Sequence, residues 1–199
     1  MQIINGQIYL EDVPVTELAR QYGTPLYVYE ENRIRANFRR ALNAFRKYYS
    51  NFRFFYAIKA NNNLAVANIL RQEGAGIDAA SVNEILLAKK LGLGGTDVMF
   101  SGNFLSDDDI KQGLESGVIF NLDDISIFPR VMKYGKPELI SFRVNPGYGK
   151  SDVGAFVTNA GPDAKFGLHP DHVMAAGRTL RLAPRLTRMR RHRFCRSLD

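Results

Sequence analysis

The residues best suited to chemistry are gathered by one short run, Phe54-Phe55-Tyr56-Ala57-Ile58-Lys59-Ala60-Asn61. An apolar strand ends there on a single lysine flanked by small and polar residues. A primary amine at the mouth of a buried strand is expected to be desolvated, which disfavours its charged form. That leaves a nucleophile able to condense with a carbonyl as a Schiff base. Polar residues recur at the same end of four further apolar runs: Asp78 and Ser81, Ser101 and Asn103, Asn121 and Asp123, Arg143 and Asn145. Taken singly, each has a local alternative. Ser81 stands three residues before Glu84 as in a helix capping box, and Ser106, Asp123 and Asp124 also precede helical patterns. Taken together with Lys59, the set reads as a site.

The elements that must position these residues follow a regular beat. Strand 53–58 leads to helix 62–73, strand 76–80 to helix 82–91, strand 97–101 to helix 106–116, and strand 118–122 to helix 124–133. Strand 138–144 leads to a long loop and a helix near 170–179. Five such units of about 20 residues predict an α/β fold with parallel strands and right-handed crossovers. The short spacing favours a barrel over an open doubly wound sheet. No G-x-G-x-x-G run follows the first strand, which weakens a dinucleotide-binding reading. In a parallel barrel the chemistry lies at the C-terminal strand ends, where the polar residues are found. Before the barrel, residues Ile3 to Leu10 read as a hairpin or edge strand around Asn5-Gly6. Val15 to Tyr22 then reads as a helix, Leu26 to Tyr29 as a strand and Glu30 to Tyr49 as a long helix.

At 199 residues the chain is short for a closed eight-fold barrel, which takes about 250. With 45% hydrophobic and 24% charged residues it belongs with soluble globular proteins. No apolar run reaches the roughly 20 residues that span a bilayer, and no basic segment followed by an apolar one opens the sequence. No membrane association is therefore expected, and the cytoplasm is the expected address. One cysteine, Cys195, and three scattered histidines, His169, His172 and His192, predict neither an internal disulfide nor a metal site.

Beyond these single residues, several strings occur in a recognisable order. They are Thr24-Pro25-Leu26-Tyr27-Val28-Tyr29, Tyr56-Ala57-Ile58-Lys59-Ala60-Asn61, Gly76-Ile77-Asp78 through Ser81 to Glu84, Ser101-Gly102-Asn103, Arg143-Val144-Asn145-Pro146-Gly147 and Lys165-Phe166-Gly167. In order and spacing the chain resembles the barrel part of the pyridoxal-phosphate decarboxylases of the alanine-racemase-like fold, within them the diaminopimelate decarboxylases. The resemblance covers residues 1–177. It implies a parallel (β/α) TIM-type barrel, here incomplete and lacking the family's C-terminal β domain. It further implies pyridoxal 5'-phosphate as cofactor, an amino acid as substrate and a homodimer whose site is shared between subunits. By the resemblance Lys59 carries the cofactor covalently and later returns a proton to the substrate carbon. Asp78 stands near the ring hydroxyl and the lysine, Arg143 lies beside the cofactor, and Asn61, Ser81 and Asn103 are supporting groups. The string after the lysine and the loop from Pro146 to Lys165 favour meso-diaminopimelate, converted to L-lysine and carbon dioxide. Departures such as Val82-Asn83 keep a sister decarboxylase acting on ornithine, arginine or carboxynorspermidine open, and so is a non-catalytic cofactor-binding half-barrel.

The tail breaks the pattern. The first 177 residues carry 19 basic and 19 acidic side chains, whereas residues 178–199 carry eight arginines against Asp199 alone, so the whole net charge of +7 lies there. The expectation is two regions, 1–177 as barrel and 178–199 as an Arg-rich tail unlike the family, such as an out-of-frame gene end would produce. A nucleic-acid-binding tail is disfavoured, because Phe194 is its only aromatic residue for stacking on bases.

Overall fold

A computed structural model describes residues 1–146, 166–169 and 172. The loop before Phe166 with Lys165, the expected helix near 170–179 apart from His172, and the tail with His192 and Cys195 lie outside the described residues. Among those described, no helix is long and apolar enough to cross a membrane.

The chain opens with a small antiparallel sheet of β1 (Gln2–Ile4), β2 (Gln7–Leu10) and β3 (Val13–Pro14). Asn5 and Gly6, both at positive φ (50° and 77°), form the two-residue turn between β1 and β2, the hairpin connection that an Asn-Gly pair favours. Helix α1 (Val15–Tyr22) and helix α2 (Glu31–Arg46) follow. The strand expected over Leu26 to Tyr29 is not formed. The segment pairs with no described strand, and its large side chains are exposed, Tyr27 at 90%. Alternating apolar residues describe an extended backbone, but a strand also needs a partner edge.

The barrel strands are β4 (Phe55–Ala57), β5 (Gly76–Ala79), β6 (Val98–Phe100), β7 (Ile119–Leu122) and β8 (Ile140–Phe142), hydrogen-bonded in that order and all parallel. Between them run α3 (Leu64–Gln72), α4 (Val82–Lys90), α5 (Asp107–Glu115) and α6 (Ile127–Tyr134). This is an α/β fold in which the described residues supply five consecutive parallel strands of a TIM-type barrel and the four helices that connect them.

Successive strand residues point to opposite faces, and each face has its own composition. Toward the helices lie Ile58, Ile77, Ala79, Val98, Phe100, Val118, Phe120 and Leu122, packed with Ala67, Ile85, Ala88, Ile110 and Val131 of the four helices. This is the principal core. Burying a side chain such as Phe120 there is worth roughly 1.5–3 kcal/mol. Toward the barrel axis the strands first present Phe55, Met99 and Ile119, with Leu139 against them. Polar residues follow two positions further along β5 to β8, and four positions further along β4, at Lys59. Gly76 belongs to this inner face, because a Cβ there would come within 2.5 Å of the Phe55 ring and 2.7 Å of the Asp97 carbonyl oxygen.

Outside the barrel, α2 is clamped to the end of α3 by charge. Arg35 and Arg39 bond the two carboxylate oxygens of Glu73, at 2.6–2.8 Å. These bonds hold the Glu73 carboxyl down to about 2 from an ordinary 4.5. A depressed carboxyl contributes stability that is present above its unfolded pKa and lost as pH falls through the folded one. Wild type should therefore melt above Glu73→Gln at pH values over 4.5, with the gap closing as pH falls toward 2, as thermal melts across that range would test. In the barrel, Gly76→Ala should destabilise by roughly 1–3 kcal/mol through overpacking. A companion Phe55→Leu should recover only part of the loss in chemical denaturation, since the Asp97 carbonyl does not move.

Candidate active site

The site is built by carrying each inner face two residues past the apolar floor. From Phe55 the alternation reaches Ala57 and then Lys59; from Gly76 it reaches Asp78 and Ala80. From Met99 it reaches Ser101 and Asn103, from Ile119 Asn121 and Asp123, and from Leu139 Ser141 and Arg143. A cavity of about 390 Å³ opens at this rim, lined by Phe55, Lys59, Asp78, Ala80, Met99, Ser101, Asn103, Phe104, Asn121, Arg143 and Phe166. Its volume lies within the range of small-molecule sites. The floor is apolar, the wall carries hydrogen-bonding groups, and the rim carries two cations.

Lys59, Asp78, Asn103 and Arg143 are thus brought to one cavity. Ser81 and Asn61 do not line it. Ser81 is the N-cap of α4, its hydroxyl accepting from Glu84 N–H, while the Glu84 carboxylate accepts from Ala80 N–H at 2.7 Å. Asn61 closes a turn, its Oδ1 accepting from Asn63 N–H and its carbonyl from the Tyr56 hydroxyl. Lys59 differs from expectation in its setting: it is exposed rather than desolvated. The last fully buried residue is Ile58, which faces the helices. A turn closed by Ala60 N–H to the Ala57 carbonyl at 3.0 Å then lifts Lys59 above the strand end.

Asp78 sits half-buried below that amine. Burial pushes its carboxyl above the usual range, against the opposing pull of a Ser101 hydrogen bond and of the Lys59 and Arg143 charges. Ser101 Oγ donates to Asp78 Oδ1 at 2.5 Å. Asp123 is likewise pushed up by burial and drawn down by Arg143. The Arg143 guanidinium lies 3.7 Å from the Asp123 carboxylate and 4.3 Å from the centre of the Phe166 ring. Phe166 is held there by pairing of its neighbours with the end of β8: Leu168 N–H donates to the Arg143 carbonyl at 2.7 Å, and Asn145 N–H to the Leu168 carbonyl at 2.8 Å. Gly167 permits this approach, with φ of +83° and a Cβ position that would fall 2.8 Å from Asn145 N.

Sequence reasoning missed Phe55, Met99, Phe104, Phe166 and Ser141. Counting back two residues from Arg143 on the strand pleat would have found Ser141. Phe55 and Phe104 carry no such signal, because a phenylalanine near a strand end reads first as core, whereas Phe166 stands in the string Lys165-Phe166-Gly167, which assigns it no role.

The arrangement defines a parallel-barrel protein with a lysine-bearing cavity at the C-terminal strand ends. The sequence profile of the family described as pyridoxal-dependent decarboxylase, pyridoxal binding domain, matches residues 34–187, so the chain belongs to that family. The match continues ten residues beyond Gly177. Diaminopimelate decarboxylase of Methanothermobacter thermautotrophicus is 44% identical over 164 residues, 82% of this chain and 38% of that relative. The enzyme of the same name from Thermoplasma acidophilum is 35% identical over 172 residues, 86% and 41% of the two chains. The crystal structure of diaminopimelate decarboxylase from M. jannaschii in complex with L-lysine superposes with a TM-score of 0.76 at 28% identity, over 92% of this chain and 44% of that one. The chain therefore spans about two fifths of the length of the curated relatives it matches.

The cofactor of this family is pyridoxal phosphate, and the residues present suit it. An exposed primary amine could condense with an aldehyde, an apolar floor of Phe55 and Met99 suits the face of an aromatic ring, and Asp78 and Arg143 bring acidic and basic groups to the same cavity.

Asp78 gives a pH signature. A carboxyl whose folded pKa is raised contributes stability that is complete below its ordinary value of 3.8 and is lost as pH rises through the folded value. Asp78→Asn should therefore match wild type in acid and melt at or above it at pH 7, in paired thermal melts.

Proposed function

We propose that this chain is the cofactor-binding portion of a carboxy-lyase that releases carbon dioxide from an amino acid, with meso-diaminopimelate as substrate and L-lysine as product. The observation that carries the reading is that Lys59, Asp78 and Arg143 line one cavity, with the charges of Lys59 and Arg143 both acting on Asp78, in a chain of the pyridoxal-dependent decarboxylase family. The choice of substrate rests on the names of the two relatives at 44% and 35% identity.

In this reading Lys59 Nζ is the covalent anchor. Bound there, pyridoxal phosphate would supply an electron sink for the pair left behind when a carboxylate departs. The protein's share is to bind, orient and move protons. Asp78 faces Lys59 as its acidic neighbour, and Lys59 Nζ returns a proton to the substrate carbon after carbon dioxide has left. Arg143, fixed by Phe166 and Asp123, keeps positive charge at the rim, where it suits a carboxylate. Phe55 and Met99 exclude water from the floor. Asn103 lines the rim as a hydrogen-bonding group, while Ser81 and Asn61 act at a distance by shaping the turns beside Ala80 and Lys59.

The reading includes a homodimer in the cytoplasm. Phe104 supports the first, lying at the cavity rim with 92% of its surface exposed, as suits a residue that a second subunit covers. A single cysteine in the chain supports the second. A non-catalytic cofactor-binding protein and a sister decarboxylase are the competing outcomes. The test is reductive trapping with pyridoxal phosphate and borohydride, followed by peptide mass mapping and an assay of labelled carbon dioxide. We expect a label on Lys59, none in folded Lys59→Ala, and any release from meso-diaminopimelate to exceed that from ornithine and arginine. No adduct in a folded sample ends the reading. An adduct without release from any amino acid favours the non-catalytic protein, and faster release from ornithine favours the sister enzyme.

A further inference from the structure

Four polar side chains on neighbouring strands are joined end to end across the barrel wall. Ser141 Oγ–H on β8 donates to Asn121 Oδ1 on β7 at 2.8 Å, and Asn121 Nδ2–H donates to Ser101 Oγ, just past β6, at 3.0 Å. Ser101 Oγ–H then donates to Asp78 Oδ1 on β5 at 2.5 Å. Asn121 and Ser141 are directly opposed in the strand register. All four residues are half-buried, where hydrogen bonds are stronger than in water and unmade ones cost more.

The chemistry of the groups makes the chain directional. An ionised carboxylate only accepts, a hydroxyl has one proton to give, and an amide has distinct donor and acceptor ends. With Ser101 donating to Asp78, its oxygen is left to accept from the next residue. Asn121 therefore turns its NH₂ toward Ser101, which leaves Oδ1 to take the Ser141 proton. Every donor points toward Asp78. Aligned bonds of this kind polarise one another, and the last is charge-assisted when Asp78 is ionised.

We propose that Asn121 and Ser141 are positioning residues of the site: acting through Ser101, they hold Asp78 as an ionised acceptor in one orientation beneath Lys59. Ser141 does not line the cavity, so its effect passes entirely through the chain. The bearing of this on chemistry at Lys59 rests on the function proposed above; the order imposed on Asp78 does not. The charges that face Asp78 are Lys59 after β4 and Arg143 after β8, which favour its ionised form, and Glu84 on α4, which opposes it.

The experiment is a pH titration of the Asp78 carboxyl by NMR in the cofactor-free chain. Aspartate carboxyls are isotopically labelled, and the Asp78 signal is assigned by its loss in Asp78→Asn. Ser101→Ala should raise the midpoint by about one unit, a tenfold gain in proton affinity. Asn121→Ala and Ser141→Ala should raise it by about 0.3–0.5 unit, the more remote residue less. Ser141→Thr keeps the hydroxyl and should restore the wild-type midpoint, which a purely steric role of Ser141 would not require. Wild-type midpoints in folded Asn121→Ala and Ser141→Ala overturn the proposal. Should Asn121→Ala not fold, the comparison of Ser141→Ala with Ser141→Thr decides alone. Because no cofactor is present, failure of Lys59 to take pyridoxal phosphate would sink the proposed function and leave this titration standing.

Discussion

The site depends first on the pleat of parallel strands. Side chains alternate between two faces, and parallel strands deliver all their C-terminal ends to one rim. The face turned to the helices is continuously apolar and fixes which residues must turn inward. A shift of one residue in any strand would exchange the two sets, moving Phe100 or Phe120 into the cavity and Ser101 or Asn121 into the helix interface. The cost of burying those polar groups without partners protects the register. The same packing that stabilises the barrel therefore aims the chemistry.

Within that frame the rim is an electrostatic compromise. Burial favours neutral Asp78 and neutral Asp123, while Lys59 and Arg143 favour the ionised form of the first and Arg143 that of the second. The carboxylate–arginine cluster outside the barrel behaves differently. Glu73 has two arginines bonded directly to it and is pushed strongly toward ionisation, a gain for stability. A carboxyl raised by burial next to an amine is the arrangement of functional sites, where the ionised form is held by specific neighbours rather than by solvent. Arg143 is kept in that balance by Phe166, whose position requires Gly167 to pass close against the end of β8.

Much of this was legible before the structure. Helix and strand patterns placed all five barrel strands and the four helices between them, since the periods of 2 and 3.6 are unambiguous where apolar runs are clean. Lys59, Asp78, Asn103 and Arg143 were selected because polar residues end apolar strands. Other expectations had a local basis that tertiary structure did not honour. Leu26 to Tyr29 has the composition of a strand but finds no partner edge among the described residues, and Ser81 and Asn61 use their side chains to cap and close turns. Ser141 was overlooked because a serine inside a strand has no signature until its neighbours are known.

By itself the sequence determined the alternation of elements, the caps Ser81 and Ser106, the Asn5-Gly6 turn and the identity of the lysine with its family strings. These are local properties, settled by residue type and spacing along the chain. Only the tertiary structure decided that Asp78, Ser101, Asn121 and Ser141 form one directed chain. It alone decided that Phe166 stacks on an arginine 23 positions earlier, and that Lys59 stands exposed above its strand. Each of these depends on strand register and on the approach of segments distant in sequence, and such contacts are set by the packing of the whole barrel rather than by any one stretch of it.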